Sequence, residues 1–115
     1  MIRSYEDLIV YRNSKKLYAV VLRFIRTFPR EGQKIGDQIL RAASSIHANI
    51  AEGYGKSPLE FRRSLRIALG ETNEIRSHLE DAATAGYIKQ ETAAKLIEKY
   101  TIVAKQLYRL RESWK

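Results

Sequence analysis

The 115-residue chain predicts an all-α fold, an antiparallel up-down four-helix bundle. Three observations carry this expectation. Apolar residues recur at three- and four-residue steps along four long stretches. The breaks between those stretches are short, which makes consecutive helices antiparallel neighbours. Two prolines and six glycines are too few for the many turns of a loop-rich all-β domain. No spacer, internal repeat or low-complexity segment divides the chain, so residues 1–115 read as one four-helix-bundle domain.

The first helix is expected from about Tyr5 to Phe28. Ser4 is its N-cap, and Glu6 and Asp7 place negative charge in the first turn, where the helix dipole favours it. Tyr11, Tyr18, Val21, Leu22, Ile25 and Phe28 supply its apolar positions, and Pro29 stops it. The second helix is expected from about Gln33 to Ala51, with Ile35, Ile39, Ala42, Ile46 and Ile50 as its stripe. Gly53 or Gly55 is suited to the left-handed position that ends it. The third opens at Ser57-Pro58-Leu59-Glu60: Ser as cap, Pro at the first helical position, Glu three residues after the cap. Phe61, Leu65, Ala68, Thr72, Ile75, Leu79 and Ala82 share one face, and Gly86 closes the helix. The fourth runs from about Gln90 to Trp114, with a heptad seam at Ala93, Leu96, Tyr100, Val103, Leu107, Leu110 and Trp114. Ile9, Val10, Val20 and Leu40 lie off the main stripes and are available for subunit contacts.

Composition excludes several functional classes. The absence of cysteine rules out a disulfide scaffold, a zinc ribbon, an iron–sulfur site and a cysteine nucleophile. No apolar run approaches the roughly 18 residues of a membrane span. The first residues, MIRSYEDL, carry acids and lack an apolar signal core, so a cytoplasmic protein with no membrane partner is expected. No glycine-rich phosphate loop occurs, and Gly53-Tyr54-Gly55 reads as a helix–helix turn. Glu74 and His78 share a helix face, but no Glu-x-x-His pair is present for a di-metal bundle. Ser44 and Ser45 are mid-helix residues small enough for close packing, with no base nearby in sequence. The expectation is a protein without enzymatic activity, catalytic residues, cofactor or metal.

Charge points instead to a polyanionic partner. The formal net charge is +8, and the excess falls almost entirely before residue 67. On a helical wheel Lys15, Lys16, Arg23, Arg26 and Arg30 fall within roughly 60° of Arg12, opposite Val21, Ile25 and Phe28. No acid occurs between Leu8 and Arg30, so this face forgoes the stabilisation that Glu–Lys pairs give a helix surface. It reads either as a solvated or intersubunit salt-bridged face, or as a track that neutralises phosphates. A second cluster, Lys56, Arg62, Arg63 and Arg66, gathers at the second turn, offset by Glu60 alone. A third comprises Lys105, Arg109 and Arg111. Tyr54 is the foremost stacking candidate, with Tyr5 and Tyr87 behind it. No base-reading helix is evident, so phosphate- or shape-directed binding is expected.

Polar residues also adjoin the second helix's stripe. Gln38, Arg41, Asn49 and Glu52 require hydrogen-bond partners there, and Glu74 of the third helix is the expected partner of Arg41. Asn49 is expected to cap a neighbouring helix end or to tie down the Gly53–Gly55 turn. All five read as structural or subunit-contact groups.

The run from Gln38 to Gly53, QILRAASSIHANIAEG, resembles the signature of the four-helix-bundle family encoded in intervening sequences of 23S ribosomal RNA genes. Tyr5–Tyr11 resembles the family's opening, and Phe28-Pro29 its first turn. Ala68-Leu69-Gly70 with Glu74 and Leu79 resembles its third helix, and Gly86-Tyr87-Ile88 its final turn. His47 departs from a frequent proline, Glu71 from a frequent serine and Arg76 from a common acid, departures expected to bear on the contact between helices two and three. The resemblance implies a small cytoplasmic bacterial bundle assembled as a ring-like homopentamer. It also implies a shape related to the accessory proteins of diversity-generating retroelements, which bind nucleic acid and a reverse transcriptase. The leading expectation is therefore a nucleic-acid-binding oligomer, with structured RNA favoured over DNA and phosphate contacts from Arg12, Lys16, Arg23, Arg26, Lys56, Arg62, Arg63 and Arg66. The alternative is an adaptor that docks a polymerase or reverse transcriptase.

Overall fold

A computed structural model describes residues 1–115, with α1 at Ile9–Ile25, α2 at Gln33–Gly53, α3 at Pro58–Thr84 and α4 at Gln90–Ser113. There is no strand, and no helix is long and apolar enough to cross a membrane. The molecule measures 44 × 21 × 19 Å. α2 packs against α1 and α3, while α4 packs extensively against α3 and more sparsely against α1, so α1 and α3 stand diagonally across the bundle.

α1 is shorter at both ends than the sequence suggests. The Asp7 carboxylate accepts the N–H groups of Arg3 at 2.8 Å and Ser4 at 3.2 Å, and Tyr5–Asp7 winds into a separate 3-10 turn. Leu8 is then extended and buried, so Ser4 opens the 3-10 turn and not α1. At the far end Thr27 Oγ1 donates to the Phe24 carbonyl and the Phe28 N–H to that of Ile25. Pro29 disfavours helical geometry at Phe28, so the chain has left the helix before it reaches the proline. Arg30 consequently sits in a second 3-10 turn, Arg30–Gly32, and is not part of α1's face.

The stripes of α2, α3 and α4 bury much as their spacing predicts. Ile39, Ala42, Ile46 and Ile50 are fully enclosed, as are Leu65, Ala68, Thr72, Ile75 and Ala82; Ile35, Leu110 and Trp114 are half-buried. The α1 stripe is rotated from its expected position. Val10, Tyr11, Ser14, Leu17 and Val21 face the core, whereas Tyr18, Leu22 and Ile25 are half-buried. Ser14 conceals this register in the sequence because it reads as polar. In the fold its hydroxyl donates to the Val10 carbonyl at 2.7 Å and needs no other partner. Val10 is therefore a core residue and not a subunit contact. Val20 and Leu40 are half-buried, and only Ile9 of that group is well exposed.

Each end of the bundle is closed by aromatic packing. At one end Tyr54, Phe61 and Trp114 meet, with Phe61 and Trp114 edge to face at 4.7 Å. At the other, Tyr87 packs on Phe28 and its hydroxyl donates to the Glu31 carbonyl. The capping box at α3 forms as the sequence indicates, with Glu60 N–H donating to Ser57 Oγ and Ser57 N–H to the Glu60 carboxylate. The α2–α3 turn uses Gly55 at φ +89°, while Gly53 remains helical.

Two helical glycines make opposite predictions. A Cβ at Gly53 would lie 2.4 Å from Ser64 Oγ and 2.6 Å from Ser64 Cβ, so Gly53→Ala is expected to force α2 and α3 apart and cost about 1–3 kcal/mol. A Cβ at Gly70 meets nothing within 4 Å, so Gly70→Ala is expected to stabilise by about 0.5–1 kcal/mol. Denaturant unfolding of both variants checks the pair of signs.

Candidate nucleic-acid interface

α1 carries Arg12, Lys15, Lys16, Arg23 and Arg26 on its solvent face. Their availability differs. Arg12 bends back on the first turn: its Nε donates to the Glu6 carbonyl at 2.8 Å, and a terminal nitrogen lies 3.6 Å from Asp7. Lys15 lies 3.4 Å from the Tyr11 hydroxyl and 5.7 Å from the centre of its ring. Lys16 borders a shallow depression shared with Lys99 of α4. Arg23 and Arg26 are exposed, with no carboxylate in ion-pair range.

The cluster at the start of α3 lies on another face. Because α1 and α3 are diagonal, Arg62, Arg63 and Arg66 do not continue the α1 track. They meet instead Arg111 of the third cluster, on α4. Arg62, Arg63, Arg66 and Arg111 line one depression of about 320 Å³. Farther along α3 and α4, Arg76, Lys105, Tyr108 and Arg109 line another, of about 460 Å³. The helix register explains the arrangement: Arg62 Nη1 donates to the Trp114 carbonyl at 2.7 Å, and Arg76 Nη1 to Thr101 Oγ1 at 3.1 Å. Antiparallel pairing therefore sets Arg111 beside the α3 cluster, while Lys105 and Arg109 line the separate depression with Arg76.

Besides Arg12, two further expected phosphate contacts are partly committed elsewhere. Arg62 is half-buried and satisfies an α4 carbonyl that the helix leaves free. Lys56 pairs with Glu52 at 3.7 Å. The stacking candidates are likewise absorbed by the fold. Tyr54 sits in the aromatic closure, Tyr5 packs edge-on against Tyr11, and Tyr87 is held by Phe28 and Glu31. The exposed tyrosine is Tyr108, 53% accessible and lining the α3–α4 groove. Its position one residue past the α4 seam at Leu107 was the sequence signal for it.

The polar residues near the α2 stripe separate into distinct contacts. Arg41 bridges from α2 to α3, donating to Glu74 and lying 3.5 Å from Glu71. His78 Nε2 approaches the same Glu74 carboxylate at 3.3 Å, so that group already has two neighbours. Asn49 bonds within its own helix, its Nδ2 donating to the carbonyl and hydroxyl of Ser45. It neither caps another helix nor ties down the turn. Gln38 and Glu52 are exposed. Of the departures from the resembled family, only Glu71 bears on the α2–α3 contact. Arg76 bonds to Asn73 and to Thr101 of α4, and His47 inserts between Tyr11 and Tyr18 of α1.

A family model described as 23S rRNA-intervening sequence protein matches residues 6–109. The fold is similar to a solved structure of a protein of unknown function from the S23 ribosomal protein family of Bacteroides thetaiotaomicron VPI-5482. That similarity has a TM-score of 0.83 and 29% identity, and it covers 91% of this chain and 96% of that one. No curated protein matches the chain.

Two measurements follow from these contacts. Arg62→Ala removes a charged donor from a half-buried carbonyl and is expected to cost about 1–2 kcal/mol, while exposed Arg63→Ala changes stability by less than about 0.5 kcal/mol. His47 is held below its ordinary pKa of 6.5, first by burial and then by the Lys15 charge. The unfolded chain takes up that proton first as pH falls. Stability is therefore lost through the region just below 6.5 and levels off beneath the depressed folded value. Melting temperature is expected to drop as pH falls below 6.5, and to drop less in His47→Phe. An equal drop in both proteins removes His47 as the cause.

Proposed function

The chain belongs to the 23S rRNA-intervening sequence protein family, and from that premise we propose that it is a non-enzymatic, cytoplasmic nucleic-acid-binding protein that grips structured RNA through its phosphates. The observation that carries this reading is how little of the basic surface is neutralised internally. Of the 21 lysines and arginines, only Arg12, Arg41 and Lys56 lie within 4.0 Å of a carboxylate. Eleven of the 18 unpaired cations lie on α1 or line the two α3–α4 depressions, where they repel one another unless an anion is present. From Arg12 to Arg26 the α1 face is about 21 Å long, roughly six phosphate steps along one strand of a duplex. DNA offers the same charge, and the family's genomic setting favours RNA.

The active species in this reading is a ring-like homopentamer, as the family resemblance implies. An apolar depression between the N-terminal turn and the end of α4 supports a protein contact. Ile2, Ile9 and Leu110 line it beside Asp7 and Arg109, and Ile9 is 67% exposed. The same depression favours the second reading, an adaptor that docks a polymerase or reverse transcriptase. A light-scattering mass near five times 13.3 kDa is expected, and a mass near 13.3 kDa overturns the ring.

The decisive experiment is binding of a labelled structured RNA across a salt series, with duplex DNA as comparator. A log–log slope of about −3 or steeper is expected, since each neutralised phosphate contributes about −0.9. Arg23→Glu/Arg26→Glu is expected to weaken binding at least about tenfold for all sequences and to reduce the slope by about two. Unchanged affinity in that variant removes the α1 track from the interface. No binding to either nucleic acid at low salt overturns the reading in favour of the adaptor.

A further inference from the structure

The two basic faces differ in geometry. On α1 the cations follow one another along a line, which suits a succession of phosphodiesters with one charge each. At the end of the bundle where α3 begins and α4 finishes, Arg62, Arg63, Arg66 and Arg111 surround a single depression of about 320 Å³. None of these four guanidinium groups lies within ion-pair distance of an acid. Glu60 is the one carboxylate lining the depression and stays ionised there, so the four arginines outweigh a single negative charge. Its Oε2 accepts Ser57 Oγ at 2.9 Å and Ser57 N–H at 3.3 Å, contacts that hold Glu60 below the usual carboxylate range.

Two side chains show how the cup is built. Arg62 is held in place through the bond from its Nη1 to the Trp114 carbonyl. Arg111 is half-buried, and its Nε is covered by protein with no acceptor. A buried donor without an acceptor is uncommon and costly. Four cations around one depression are also mutually repulsive when it holds only water. A compact, doubly charged anion offering several oxygens relieves that repulsion, because arginine binds phosphate oxygens in a bidentate manner. Leu59, 71% exposed, adds an apolar surface beside the charge.

We propose that this four-arginine cup is a receptor for a phosphomonoester dianion, presented by the phosphorylated end of an RNA strand whose first base rests on Leu59. The proposal rests on the nucleic-acid reading above and adds to it a distinction between strand ends and strand interiors.

The test uses the full chain and one short RNA hairpin prepared with a 5′-phosphate, a 3′-phosphate, or hydroxyls at both ends. One phosphorylated form is expected to bind about tenfold more tightly than the hydroxyl form, the effect of a single charge-assisted contact. Arg63→Gln/Arg66→Gln, two exposed positions, is expected to abolish that preference, as is Arg111→Gln. Arg23→Gln/Arg26→Gln is expected to weaken all three RNAs alike and keep the preference. In parallel, inorganic phosphate is expected to raise the melting temperature above that in chloride of equal ionic strength, in the wild type but not in Arg63→Gln/Arg66→Gln. Equal affinity for all three RNAs, with the salt slope intact, overturns the strand-end receptor and leaves the nucleic-acid reading standing. Absence of RNA binding while phosphate still stabilises overturns the RNA assignment of the cup together with that reading. Failure of both responses overturns the cup itself.

Discussion

Each of the four helices has one apolar stripe, and all four stripes must be buried on a common axis. The rest of the structure depends on that constraint. A side chain opposite a stripe has nowhere to go but solvent, so the long acid-free face of α1 is exposed because Val10, Leu17 and Val21 point inward. The same closure decides which helices are neighbours. Successive short turns place α1 beside α2 and α2 beside α3, which leaves α1 and α3 diagonal. Two basic clusters that are near in sequence are thereby driven to different faces, while Arg111, distant in sequence, is brought beside the α3 cluster.

Arginines do two kinds of work in this molecule, and contacts tell them apart. Arg41 links α2 to α3 through Glu74, Arg76 links α3 to α4 through Thr101, and Arg62 caps a carbonyl at the end of α4. These side chains hold helices in register. Arg23, Arg26, Arg63 and Arg66 are exposed and form no ion pair within 4.0 Å, although the Arg63 charge helps hold Glu60 ionised. Aromatic residues divide similarly. Tyr54 and Trp114 close one end of the bundle, Tyr87 closes the other, and Tyr108 is left facing solvent between cations.

The sequence alone determined the four helices, nearly all of the buried seams on α2, α3 and α4, the capping box at Ser57 and the family. These are matters of local spacing and short-range hydrogen bonding. It also specified the Arg41–Glu74 pair, because a cation beside an apolar stripe must find a carboxylate and few are in reach. It misplaced the start of α1, where Asp7 gathers the N–H groups of Arg3 and Ser4 into a separate turn. It misjudged the α1 seam as well, because a serine that bonds to its own helix can be buried like an apolar residue. Only the tertiary structure decided which basic residues share a surface. Arg66 and Arg111 are 45 positions apart and no local pattern relates them, yet antiparallel pairing of α3 with α4 places them around the same depression. Helix wheels report direction within one helix, whereas a binding surface is made where two helices meet.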